Sequence, residues 1–454
     1  MNSITALVLC LCTGLAAAEL PKAPPALHPD ERYKADILVV VAHPDDETEI
    51  TGYLAKAIYE EHRRVAVIFG TRGDGGGNAM GNEQAATLGV EREIEARRAL
   101  ASFGVMNVWF LGGPDTPGQD VLRSLETWHH GAALEQAVRL VRLTRPEVIL
   151  TWLPLYVAGE NHGDHQASAV IATEAFDLAG DATAYPEQIA APRQRESIYN
   201  LTEGLHPWQP KKLYFFSDAS HTDFLEGKGP RYTTTEVSPS HGVPYFRMAA
   251  DEMSFHLTQD DTGQLAKQAI AKGDFKYFEQ PVRLVFGKSH VRSTATGDIF
   301  EGIAPGAVPF VAAPGYRPPA GDAAITLELG GPWSFYRGFW KAHGLNHLAG
   351  LLSTPEVAIA PGERLHLPVL LHNGTNGAHE VTLSANLPGS WTVAAGQAVY
   401  PLEAGETYPV ETVLASPTKG DPAWQTVTWK AESGGQIVGS IAVRVNFANG
   451  GLPQ

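Results

Sequence analysis

Between residues 36 and 217 the chain alternates short unbroken apolar runs with stretches in which apolar residues recur at helical spacing. The runs are Asp36–Ala42 (DILVVVA), Arg63–Gly70, Asn107–Gly113, Glu147–Trp152 and Lys211–Ser217. Apolar runs that do not alternate with polar residues predict parallel strands covered on both faces. The intervening stretches include EREIEARRALASFG, ended by Gly104, and ALEQAVRLVRLTR, ended near Pro146, both with helix-stop signals. Alternating units of this kind predict an α/β sandwich with a mostly parallel sheet. From about Thr354 the texture changes to apolar–polar alternation punctuated by Asn-Gly and Pro-Gly turns. About seven short strands in roughly a hundred residues predict an Ig-like β-sandwich. The intervening residues 286–353 are Gly- and Pro-rich and carry the aromatic cluster PWSFYRGFW. That cluster reads as a surface docking the two domains in preference to a sugar-stacking platform, because aromatics dominate such contacts.

Composition adds bounds. The 454 residues exceed what one hydrophobic core usually serves, so two domains are expected. The expected divisions are residues 1–18, 36–285, 286–353 and 354–448. A formal charge of −16 argues against a nucleic-acid or anionic-membrane surface. The first segment, MNSITALVLCLCTGLAAAEL, has a short apolar core followed by Ala16-Ala17-Ala18. This predicts a cleaved secretory signal peptide, too short to span a bilayer, and export to the periplasm or beyond the cell. Both cysteines, Cys10 and Cys12, lie within it. The mature chain then has no thiol, and any metal must be held by His and carboxylates.

The chemistry gathers where the apolar runs end. In open parallel sheets, ligands bind beyond the carboxyl ends of the strands. The first run, VVVAHPDDETEI, passes directly into His43, Asp45, Asp46 and two glutamates. The second ends in GTRGDGGGN, the third in GGPD, and the fourth leads to NHGDHQAS. His162 and His165 are three apart at the start of a helix and can face the same way. Two imidazoles and a carboxylate around an open position make a catalytic zinc site of the hydrolase kind. A remaining carboxylate can take a proton from a water whose pKa the metal lowers to about 7. Asp164, beside two histidines, is placed to hold an imidazole in one tautomer. Adjacent carboxylates also repel unless a cation or shared proton lies between them. The glycine-rich GDGGGN lacks the Lys-Ser/Thr of a P-loop and the GxGxxG spacing. It reads as a flexible lip over the site, with glycine permitting positive φ. No GxSxG elbow of a serine hydrolase is present.

AHPDDE at Ala42–Glu47 and HGDH at His162–His165 resemble the opening and second signatures of the PIG-L/LmbE-like zinc-dependent deacetylases. The resemblance covers residues 36–259 and implies a Rossmann-like three-layer sandwich that removes N-acetyl groups from glucosamine-containing substrates. It implies His43, Asp46 and His165 as ligands of Zn²⁺, with Fe²⁺ or Mn²⁺ as substitutes. It implies Asp45 as general base, and His162, held by Asp164, as the group that polarises the acetamide carbonyl. Arg92 and Asp115 match sugar-contacting positions, and Arg72 is a third candidate lining residue. The late HLTQ stretch (His256–Gln259) resembles another family element, with a structural role expected. The sequence departs from close relatives at Glu160 and Asn161, just before the second signature. Two alternatives stand beside this reading. One is an amidase or esterase acting on a non-sugar substrate with the same metal. The other is a carbohydrate-binding protein whose metal is structural.

Overall fold

The computed structural model describes residues 29–156, 162–189, 204–219, 222–259, 261–303, 324–419 and 423–447. The expected signal segment 1–18 and the departures at Glu160 and Asn161 lie outside the described residues. Five apolar runs form the strands β1 (Ile37–Val41), β2 (Val65–Phe69), β3 (Asn107–Phe110), β4 (Val148–Trp152) and β5 (Lys212–Phe216). They lie in the order β3-β2-β1-β4-β5 and are parallel throughout. A sixth strand, Val285–Ser289, closes the edge antiparallel to β5. β1 shows why these runs are apolar without alternation. Leu38 and Val40 join one buried cluster, while Ile37, Val39 and Val41 join another across the sheet.

The helices of the first half are α1 (Thr51–Tyr59), α2 (Ala85–Ser102), α3 (Val121–Thr127), α4 (His130–Thr144) and α5 (Gly163–Leu178). α3, α4 and α5 cover one face of the sheet through Val121, Leu134 and Val170. α1, α2 and the helix Tyr245–Met253 cover the other through Leu54, Leu100 and Met248. The result is the expected three-layer α/β sandwich. β1 lies between β2 and β4, so the strand order reverses at β1/β4 and leaves a crevice at their carboxyl ends.

The C-terminal part forms a five-stranded and a four-stranded sheet whose side chains share one core, including Leu367, Val369, Val427 and Trp429. The described parts of residues 286–353, expected as one extension, fall in both halves. Val285–Ser289 belongs to the first sheet, whereas Ile325–Leu329 pairs with the strand Arg364–Asn373 in the sandwich. Sequence alternation missed this sandwich strand because it stands apart from its partners along the chain. The aromatic cluster forms the helix Pro332–His343. Its Tyr336, Phe339 and Trp340 are buried in the core of the first domain, which is the docking role expected. Trp340 Nε1 donates to Pro154 O at 2.9 Å, and the Tyr336 hydroxyl donates to Gln166 Oε1. No described helix is long and apolar enough to cross a membrane.

Candidate metal-centred site

β1 and β4 are hydrogen-bonded neighbours, with Val40 opposite Thr151, so the loops that leave them meet. Three donor atoms converge there. His43 Nδ1 lies 3.5 Å from Asp46 Oδ1, His165 Nε2 lies 3.2 Å from the same oxygen, and the two nitrogens are 3.2 Å apart. Metal–ligand bonds of about 2.0–2.1 Å at tetrahedral angles place neighbouring ligand atoms about 3.3 Å apart. The triangle therefore fits one face of a tetrahedral zinc site, and its two imidazoles and one carboxylate also suit Fe²⁺ or Mn²⁺.

The remaining atoms of these side chains are committed elsewhere. Asp46 Oδ2 accepts the backbone N–H groups of Ala42 (2.8 Å) and His43 (2.9 Å), together with Trp152 Nε1 (2.6 Å). That leaves Oδ1 turned to the two imidazoles. His165 stacks on the Trp152 ring with centroids 4.2 Å apart and planes 5° apart, and its Nδ1 lies 3.8 Å from Asp218. His43 Nε2 lies 3.4 Å from both Asp164 and Asp115. The Asp164 carboxylate was expected to hold His162. That carboxylate lies against His43, Ser124 and the backbone N–H and hydroxyl of Thr116. The reason is the helix start. His162 caps α5, so Asp164 meets it through its own backbone N–H, which donates to His162 Nδ1 at 3.3 Å. Asp164 thus sets the tautomer of the first histidine, leaving Nδ1 for a cation.

Charge follows this geometry. Burial opposes protonation of His43, but Asp46, Asp115 and Asp164 push its pKa well above the ordinary histidine range. Burial likewise opposes ionisation of Asp46, yet His165 and His43 hold its carboxyl well below the usual range. Without a cation His43 therefore keeps its proton beside an ionised Asp46, and a divalent ion binding there would displace that proton. Burial, with the charges of His43 and His165, lowers His162 to about 4. His162 is then neutral near pH 7. Because Nδ1 accepts a backbone proton, the ring hydrogen is assigned to Nε2.

Asp45 lines the same cavity as His43, His162 and His165. Burial, with the charges of Asp46 and Glu47, pushes its pKa up to about 7. Its backbone has φ of +118°, and its N–H donates to Glu47 Oε2 at 3.0 Å. The segment after the helix Tyr245–Met253 supports this loop from the far side. His256 Nε2 lies 3.1 Å from Glu47 Oε1, both side chains being fully buried. Gln259 Nε2 donates to Pro44 O, and Thr262 Oγ1 donates to Asp45 Oδ2 at 3.2 Å. The HLTQ element is structural in this sense, because it fixes the HPDDE loop.

The candidate substrate residues separate. Asp115 lines the cavity and accepts the Gly75 N–H at 3.0 Å. Arg92 also lines it, but its terminal nitrogens donate to the carbonyls of Gly73, Gly77 and Thr258. Arg72 does not reach the cavity lining; it pairs with Glu93 at 2.6 Å on the surface of α2. The glycines of GDGGGN serve close approach more than left-handed backbone. Only Gly73 has positive φ in that run, whereas a Cβ on Gly75 or Gly76 would lie within 3.0 Å of Asp115 or Arg92. Sequence reasoning missed Trp152, Thr116, Thr262 and Asp218, and gave Glu47 of the first signature no role. Trp152 read only as a strand residue, Thr116 and Asp218 come from loops, and Thr262 opens the helix Thr262–Lys272, so their meeting is set by tertiary structure.

The family model described as GlcNAc-PI de-N-acetylase (PIG-L) matches residues 38–176. A 1D-myo-inositol 2-acetamido-2-deoxy-alpha-D-glucopyranoside deacetylase of Thermobifida fusca is 26% identical over 251 residues, which cover 49% of this chain and 82% of that protein. A deacetylase of the same description from Catenulispora acidiphila is 30% identical over 255 residues, covering 50% and 76%. Among solved structures, the N,N'-diacetylchitobiose deacetylase of Pyrococcus horikoshii aligns over 60% of this chain and 88% of its own. It has a TM-score of 0.38 and 15% identity.

Proposed function

The chain belongs to the PIG-L family, and on that premise we propose that it is a metal-dependent hydrolase removing the N-acetyl group from an acetylated amino sugar or glycoconjugate. The observation that carries this reading is the near-equilateral triangle of His43 Nδ1, Asp46 Oδ1 and His165 Nε2 in one cavity with Asp45 and His162. Those three residues would hold Zn²⁺, Fe²⁺ or Mn²⁺. A divalent ion bound there lowers the pKa of water and polarises a carbonyl oxygen. Asp45 takes a proton from the attacking water; a carboxylate with pKa near the working pH suits that task. The Nε2–H of neutral His162 donates to the acetamide oxygen as charge builds on it, the kind of electrostatic term that usually dominates acyl transfer. Asp45 then returns its proton to the departing amine, and acetate and the sugar amine leave. Asp164 and Asp115 keep His43 oriented. The relatives' described substrates, acetylated glucosaminyl-inositols, favour an amino sugar over other amides. Export to the periplasm or the extracellular space belongs to the same proposal.

The test is metal analysis of the purified mature chain, paired with an acetate-release screen over N-acetylglucosamine conjugates. Close to one divalent ion per chain with acetate release is the expected result. Metal without release of any acyl group would leave a binding protein. Release of other acyl products in place of acetate would assign the site to a different amide or ester.

A further inference from the structure

Beside the cavity just described lies another of about 480 Å³. The two adjoin along Thr48, Glu49, Asp218, Met253 and Tyr277, which line both. Asp218 stands at the junction. One of its oxygens is 3.8 Å from His165, and the other is buried with no hydrogen-bond partner among the described residues. The Tyr277 side chain, 57% exposed, offers a broad ring at the same place. Planar aromatic surface beside carboxylates suits a polyhydroxylated ligand: the ring packs against C–H faces and the carboxylates accept hydroxyl or ammonium protons. A single sugar ring fills neither the pair nor most of one, since cavities of about 300–1,000 Å³ take drug-sized ligands.

The charge of this second chamber restricts what enters. Glu49, Asp218 and Asp223 line it, against one cation, Arg283. Arg283 is already paired with Asp223 at 3.1 Å and with Glu226 at 2.9 Å. In the first cavity the one arginine in the lining, Arg92, is occupied by loop carbonyls. Nothing in the described lining of the second chamber can neutralise a phosphate, whereas an ammonium meets carboxylates. Like charges brought together at a partly desolvated contact are strongly selected against.

Resting on the deacetylase reading, we infer that this chamber binds the group glycosidically attached to the acetylated sugar, and that it selects a neutral or cationic group against a phosphorylated one. The probes are N-acetylglucosamine and three disaccharides of matched size: N-acetylglucosaminyl-glucose, N-acetylglucosaminyl-glucosamine and N-acetylglucosaminyl-glucose 6-phosphate. Dissociation constants and acetate release are measured separately on the metal-loaded full chain. The neutral disaccharide is expected to bind about tenfold tighter than the monosaccharide, the glucosamine conjugate at least as tightly, and the phosphorylated one about tenfold more weakly than the neutral one. Tyr277→Ala should remove the binding advantage of the neutral disaccharide over the monosaccharide, read as the ratio of the two dissociation constants within the same variant. Glu49→Gln should narrow the gap between the ammonium and phosphate forms. Circular dichroism and metal content identify any variant that has failed to fold. Equal binding of all four probes by the wild-type chain overturns the chamber, with or without acetate release. Binding in the expected order without acetate supports the chamber and overturns the deacetylase reading.

Discussion

Asp45 occupies a backbone conformation, φ +118°, that costs a non-glycine residue about 1–3 kcal/mol. The strain is held by Glu47 on its N–H and by Thr262 on its carboxylate. Two substitutions separate geometry from chemistry. Asp45→Asn should lower acetate release by about 10²–10⁴-fold while metal content stays near wild type. Retained turnover in that variant would remove Asp45 from the base role. Asp45→Gly should abolish turnover yet raise the melting temperature, because glycine adopts positive φ without penalty. Trp152→Phe keeps an aromatic ring beside His165 but deletes the 2.6 Å donor to Asp46. Metal affinity should fall by about 10–100-fold, read by competition with a chelator. The HPDDE and HxDH residues were legible because their chemistry is unusual at strand ends. Trp152 was not, because an indole in an apolar strand carries no sign of its hydrogen bond.

Helices and strands bring these residues to one place through a few specific ties. His256 and Glu47 form a fully buried ion pair between the segment after the helix Tyr245–Met253 and the loop after β1. Removing one partner leaves an uncompensated buried charge, so His256→Ala should destabilise the chain by about 3–5 kcal/mol. A second tie, His130 Nε2 to Glu174 at 2.5 Å, joins α4 to α5 near the surface. The hydrogen bond and charge of Glu174 raise the pKa of His130 against an opposing burial effect. A raised histidine pKa stabilises the fold fully below its unfolded value of about 6.5 and loses that contribution as pH rises through the folded value. With His130 37% exposed, the contribution is under about 1 kcal/mol. The melting-temperature difference between wild type and His130→Gln should therefore shrink from pH 6 to pH 9. A constant difference would show that packing, and not charge, accounts for it. The strands were legible from their apolar runs. These ties were not, since each joins residues far apart in the chain.

Across the whole molecule the two halves are laced together by one stretch of chain. The strand Val285–Ser289 completes the first sheet, Ile325–Leu329 enters the sandwich, and the helix Pro332–His343 returns to bury Tyr336 and Trp340 against the first domain. Tyr336 reaches Gln166, beside His165, and Trp340 reaches Pro154 after β4. Trp340→Ala should cost about 3–5 kcal/mol. It should also weaken turnover, because both contacts flank the site. Calorimetry and kinetics on the same preparation check this, and unchanged values in both would mean that the helix only rests on the domain. The sequence alone determined the α/β class, the apolar strands buried on both faces, the second β-rich half and the residues able to hold a cation, because periodicity and side-chain chemistry are local properties. Tertiary structure alone decided that β1 and β4 are neighbours, that Asp164 turns to His43, that Arg92 is occupied by a loop, and that a carboxylate-lined chamber adjoins the site. Each depends on which distant segments pack together, and strand order is settled by the burial of whole faces, which no short stretch of sequence records.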